Sequence, residues 1–275
     1  MKILLPENID LNYPKRYILS IRIHPEQYSF SLYNPIDDGS YFYQVIEGDK
    51  HQDAFTNFKN VFFENDFFTL PFRKQIILNY SPAFTYVPSL IYRDKDKESY
   101  FKFLSSEHSL KILDHQLQSS ELTVLHQLPE EVYDFFHRSF VQPEFFHHTA
   151  PLIAYFQERS KVVSASQMIV NVHRKGLDII CFSRTKFVLG NHFPFQQIED
   201  AIYYILFTWS QLKFNQTRDF IYIAGDQSAK KPLMEKLKLY IHNIIPVNIT
   251  PEAHFDRIDT HSIPFEHAAL SLCEL

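Results

Sequence analysis

The chain has 275 residues, 45% of them hydrophobic and 21% charged, with a formal charge of −5. That length supports one large core or two smaller ones, and the charge supplies no field for general nucleic-acid binding. Two cysteines give neither a disulfide framework nor a zinc spacing, and five glycines leave little material for phosphate loops, which need glycine for close backbone approach.

The Ile3-Leu4-Leu5 run is cut by Pro6, too short for a signal-peptide core, and Ala201–Trp209 is only half a membrane span. A cytoplasmic protein is expected, beginning with a disordered or loosely docked arm over residues 1–14. Strands are predicted at Tyr17–His24, Tyr28–Tyr33 and Tyr41–Ile46, joined by proline- and glycine-bearing turns into an antiparallel meander. A helix over Gln52–Glu64 places Phe55, Phe58 and Phe62 on one face, and the Ile76-Ile77-Leu78 run predicts a strand covered on both sides. The middle is less regular, with an extended segment at Phe84–Tyr92, a helix at Lys95–Leu104 and strands at Lys111–Gln116 and Leu122–Leu125. Pro129-Glu130-Glu131 opens the next helix, because proline suits the first turn and acids suit its positive end. A strand near Pro143–His147 and a helix at Thr149–Glu158 follow, and Ser160–Ser166 reads as a boundary.

Beyond it the plan repeats. Ile21-Arg22-Ile23-His24, with Tyr28, Phe30 and Leu32, lines up without a gap on Val170-Asn171-Val172-His173, with Leu177, Ile179 and Cys181; the offset is 149 residues throughout. A second meander over Met168–His192, a helix at Phe195–Leu212, a strand at Phe220–Ala224, a helix at Ser228–Tyr240 and a strand at Ile244–Ile249 complete the copy. Ile76-Ile77-Leu78 is aligned on Ile221-Tyr222-Ile223. The expected architecture is α/β: domains at 15–160 and 161–275, each a mixed sheet with an antiparallel three-strand meander and flanking helices, and a ligand cleft between them.

This order, twice over, resembles the actin-like ATPase superfamily, whose two ribonuclease-H-like domains hold a nucleotide between them. Gln75–Leu90, the helix over Glu130–Phe140 and the terminal Ile263–Leu275 segment resemble PilM-type pilus-assembly proteins and an uncharacterised bacterial family assigned the same fold. The resemblance implies an Asp-x-Gly pattern at the first hairpin of each domain, the carboxylate organising magnesium and the glycine admitting phosphate. The aligned positions are Arg22 and His24 in the first copy and Asn171 and His173 in the second. Both carboxylates and both glycines are absent. An adenosine-contacting Gly-Gly corresponds to Ala224-Gly225, with Asp226 and Ser228 leading into the next helix. A degenerate nucleotide site follows: no catalytic residues, no resident cofactor, and a scaffold or interaction role in which a protein partner, such as a short peptide, docks on the N-terminal half.

Competing readings stay open. Arg22, His24, His173, Arg174 and Lys175 would make a metal-free anion site, which with Gly225, Asp226 and Ser228 would serve an ATP-binding or phosphate-binding sensor or enzyme. Against that, all five are equally solvated turn residues, and Asp226 and Ser228 equally helix caps. A ribonuclease-H-like nuclease needs clustered carboxylates where Arg22 and Asn171 stand. Fourteen histidines invite a metal reading, through His147-His148 with His137 and His115, but neighbours on a strand point to opposite faces and no His-Glu-x-x-His spacing occurs, so no metal is expected. Phe67-Phe68 and Phe145-Phe146 lie beside turns and, if exposed, would mark a partner surface.

Overall fold

The computed structural model describes residues 2–102, 104, 110–247 and 263–272. Strands β1 (Ile18–His24), β2 (Gln27–Asn34) and β3 (Asp37–Val45) form the first meander. Helix α1 (Ala54–Glu64) leads to β4 (Lys74–Asn79), which lies parallel beside β1. A three-stranded sheet is inserted next, built from β5 (Phe84–Pro88), β6 (Leu110–Leu117) and β7 (Leu122–Pro129), with the short helix α2 (Lys97–Phe101) between β5 and β6. Then come α3 (Glu130–Ser139), β8 (Glu144–His147) and α4 (Ala150–Ser160). The second half contains β9 (Gln167–His173), β10 (Gly176–Ser183), β11 (Lys186–Pro194), α5 (Ile198–Gln211), β12 (Phe220–Gly225), α6 (Gln227–Leu237), β13 (Asn243–Pro246) and α7 (Phe265–Leu272).

The strand orders β3-β2-β1-β4-β8 and β11-β10-β9-β12-β13 are the same order twice. Ile18 maps to Gln167, Gln27 to Gly176 and Asp37 to Lys186, so the 149-residue offset carries all three meander strands from first residue to last. Two details of the fourth strands and the arm differ from expectation. Ile77 pairs beside Ile21 and Ile223 beside Val170, so the equivalent of Ile77 is Ile223, one residue further on than the apolar runs suggest. The period of two requires this: both residues must face outward with their neighbours in β1 and β9, and a slip of one would turn them inward. The N-terminal arm is docked, because Ile3 and Ile9 are buried in the first core and the Ile3 backbone N–H donates to Asn65 Oδ1 at 2.7 Å. The predicted strand at Ile244–Ile249 ends at Pro246, and residues 248–249 lie outside those described.

Alternation along the strands sorts side chains into three layers. Leu19, Ile21 and Ile23 face outward against α1 and α3, packing on Phe58 and Phe136; Val170 and Ile223 face outward against α5 and α6, packing on Ile205 and Leu233. Between the sheets, Ile76 and Leu78 of one half meet Ile169, Ile180 and Tyr222 of the other, with α4 and α7 filling the gap. The aromatic pairs read as candidate partner surface are core instead. Phe67, Phe68 and Phe145 pack in the core cluster of α1 and α3, Phe67 stacking on Phe68 at 4.3 Å and Phe145 on Tyr133 at 5.0 Å, while Phe146 is buried in the cluster between the sheets. No helix among the described residues is long and apolar enough to cross a membrane.

Candidate functional site

The C-terminal ends of β1 and β9, in separate sheets, both line a cleft of about 440 Å³ between the two halves. Of the residues singled out from the sequence, Arg22, His24, His173, Arg174, Gly225 and Asp226 line it, while Lys175 and Ser228 are exposed and do not. Gly225 has φ +100°, and a Cβ there would overlap the Val172 backbone, so this position requires glycine for β12 to lie against β9. Asp226 caps α6, accepting from the Ser228 backbone N–H at 2.8 Å and its hydroxyl at 2.7 Å, while the Asp226 N–H donates to Val172 O at 2.8 Å.

The basic residues at the cleft are already paired. Arg22 points between the sheets and donates through Nη2 and Nε to Glu266 Oε1 of α7, at 2.8 and 3.1 Å, with both side chains buried. Burial alone would raise the Glu266 carboxyl; Arg22 first and His173 next outweigh it, so it lies below the usual carboxylate range. Arg174 meets Glu26 at 3.3 Å on the surface. His24 is pushed down to about 3, chiefly by burial and then by Arg22 and His173, and so is neutral at physiological pH. Asn171, at the matching place in β9, is an uncharged amide with no exposure. Neither strand end therefore offers the free carboxylate that magnesium requires, and a guanidinium stands where the ion's charge would be. These residues do not fit a magnesium nucleotide held in the way the resemblance implies.

Beneath the cleft lies a cluster that spacing does not reveal. Asp178 of β10 has no exposure, and its carboxylate accepts from three imidazoles: His148 Nε2 and His173 Nε2 reach Oδ2 at 2.7 and 2.6 Å, and His192 Nδ1 reaches Oδ1 at 2.8 Å. Antiparallel register sets Asp178 opposite Asn171 on one side and opposite His192 on the other. His148, by contrast, arrives from the end of β8, so the cluster is assembled from both halves. Tyr80, following β4, packs its ring on His24, His148 and His173 at centroid distances of 4.6, 4.7 and 4.8 Å. Burial would raise the Asp178 carboxyl, and His148 and His173 outweigh it, holding it ionised well below the carboxylate range. Burial lowers His148, against the pull of Asp178. Gly176 serves this cluster: a Cβ there would stand 2.5 Å from His192 Cε1 and displace the ring. A charged residue inside the apolar run Leu177-Asp178-Ile179-Ile180 was the one sequence signal available, since a buried charge must find partners. His147 and His148 take separate partners, His147 binding Thr149 Oγ1 and Ser81 O at 2.7 and 2.9 Å. His137 is exposed on α3.

Two mixed sheets of identical strand order facing across a cleft, with a terminal helix from each half between them, define an actin-like ATPase fold, and comparison agrees. A Bacteroides thetaiotaomicron protein described as having an actin-like ATPase fold and unknown function is 30% identical, the match covering 97% of this chain and 99% of that one with a TM-score of 0.82. The chain belongs to the family described as protein of unknown function (DUF3822), whose model matches residues 6–244. It is also similar in fold to a protein solved in the PilM-PilN type IV pilus biogenesis complex, at 12% identity and a TM-score of 0.52 over 94% of this chain and 97% of that one. No curated protein matches it.

Proposed function

We propose that this protein is a non-hydrolysing member of the actin-like fold, working as a cytoplasmic interaction or scaffold protein whose nucleotide cleft has degenerated. The observation that carries the reading is the buried Arg22–Glu266 pair, which occupies the place of a magnesium-organising carboxylate with a cation and its counter-ion. Pairing of Arg174 with Glu26 and the neutrality of His24 support it further, since they leave the cleft with little unopposed positive charge for a polyphosphate. By analogy with the PilM-PilN complex, the partner is a protein segment rather than a small molecule.

A thermal-shift titration with ATP, ADP and pyrophosphate, each with and without magnesium, tests it. A ligand that binds the native state stabilises by mass action, about 2.7 kcal/mol at a hundred times its dissociation constant. No shift is expected with any of the three. A magnesium-dependent shift with ATP would overturn the reading, and a magnesium-independent one would favour the sensor alternative, in which Gly225, Ser228 and the basic turns at Arg22, His24, His173, Arg174 and Lys175 hold the ligand.

A further inference from the structure

We propose that His148, His173 and Asp178 bind one divalent transition-metal ion of the zinc class, at a site independent of any nucleotide. Their ligand atoms lie within 4.8 Å of one another, and among the described residues this is the group of histidine and acidic side chains so arranged. Two imidazole nitrogens and one carboxylate oxygen suit zinc or ferrous iron rather than magnesium or calcium, which take oxygen. Bonds of about 2.0 to 2.1 Å in tetrahedral geometry place neighbouring ligand atoms about 3.3 Å apart. The present nitrogen-to-oxygen separations of 2.6 and 2.7 Å reach that by an opening of roughly 0.6 Å, within side-chain torsion alone.

Three further features make the site a built one. His192 Nδ1 holds the second carboxylate oxygen at 2.8 Å, the outer-shell contact that orients a ligating carboxylate, and Gly176 keeps the space its ring needs. Asn171 is wholly buried with its amide nitrogen 3.4 Å from His173 Nε2, yet its Oδ1 has no hydrogen-bond partner, which leaves an acceptor beside the ion for a metal-bound water. His173 reaches the cleft wall, so an ion has a path in. Burial favours a cation too: Asp178 is a carboxylate with no exposure, and buried charges of that kind are paired or coordinate metals. On binding, the two Nε2 protons that now face Asp178 leave, so uptake releases protons or shifts them to Nδ1.

The full chain, stripped with a chelator and dialysed, is titrated with Zn²⁺ and with Co²⁺. The expected result is one equivalent bound per chain by elemental analysis, with a cobalt d–d spectrum of low-symmetry nitrogen and oxygen ligation, and a raised melting temperature with zinc. His173→Ala, at the cleft rim, should abolish stoichiometric uptake while keeping its far-ultraviolet circular dichroism. His192→Gln removes no ligand and should weaken affinity about 10- to 100-fold, which keeps the test informative should the first variant not fold. His137→Gln, remote and exposed, should change nothing. Failure of the wild type to take up one equivalent overturns the proposal, and so does unchanged affinity in His192→Gln or in a folded His173→Ala.

Discussion

At the scale of single residues, Arg22 shows how a charge placed inside a sheet is satisfied by a distant partner. It lies within β1, two residues before its end, and its side chain is spent on Glu266, 244 residues away. Removing one member of a buried ion pair strands the other's charge, whereas replacing both by apolar groups does not. Arg22→Met should therefore destabilise the protein by about 3–5 kcal/mol, and the double variant Arg22→Met with Glu266→Leu should recover most of that. Urea unfolding of the three proteins measures both numbers. Equal losses in the single and double variants would show that the pair's charge is not what matters there.

At the scale of elements, the β6–β7 hairpin carries histidines that folding keeps neutral. His115 is only half-buried as a residue, but both its ring nitrogens are sealed from solvent without a partner, and its pKa falls to about 3, by burial. His126, beside it at 5.6 Å, is lowered well below the ordinary value, again first by burial. The folded forms stay unprotonated while the unfolded chain binds protons near pH 6.5, so the unfolded state holds more protons between about 3 and 6.5. Stability thus rises with pH across that window, is fully present above it, and is lost as pH falls through 6.5 and below. For His115 the loss from pH 7 to pH 5 is up to about 2 kcal/mol. His115→Leu should flatten the difference in unfolding free energy between these two pH values by that amount, and an unchanged slope would assign the acid sensitivity elsewhere.

The molecule as a whole is two copies of one topology fastened by a shared interior. Helix α7 is held on the first sheet by the Arg22–Glu266 pair, by Ser20 Oγ to His267 Nε2 at 2.7 Å, and by the Tyr33 hydroxyl donating to Leu270 O at 3.0 Å. Helix α4 reaches the second half through Gln157 Nε2, which donates to Thr185 O at 2.8 Å, and through Phe156 against Tyr222, while His148 crosses to Asp178. Neither half can expose its inner face without opening the central apolar cluster that Ile76, Phe156, Ile180 and Leu270 share. A single cooperative unfolding transition is expected, with calorimetric and van't Hoff enthalpies in a ratio near one. Two resolved transitions would mean that the halves fold as separate units.

Much of this architecture is written in local signals. Each meander depends on alternation with a period of two and on short turns, so the first copy announced the second and their strand limits agree to the residue. The helices carry their own starts: Asp53 accepts from the Thr56 N–H at 2.9 Å at the head of α1, Glu130 and Glu131 open α3, and Gln197 with Asp200 forms a capping box on α5. That positions 22 and 171 carry an arginine and an asparagine rather than carboxylates was likewise plain from the residues. What only the tertiary structure decided is where buried charge finds its partners: Arg22 with Glu266, and Asp178 with His148, His173 and His192. Those pairings obey no sequence period, because they form only once two separately patterned sheets close on α4 and α7, and desolvation then forces each charge to the nearest group able to satisfy it.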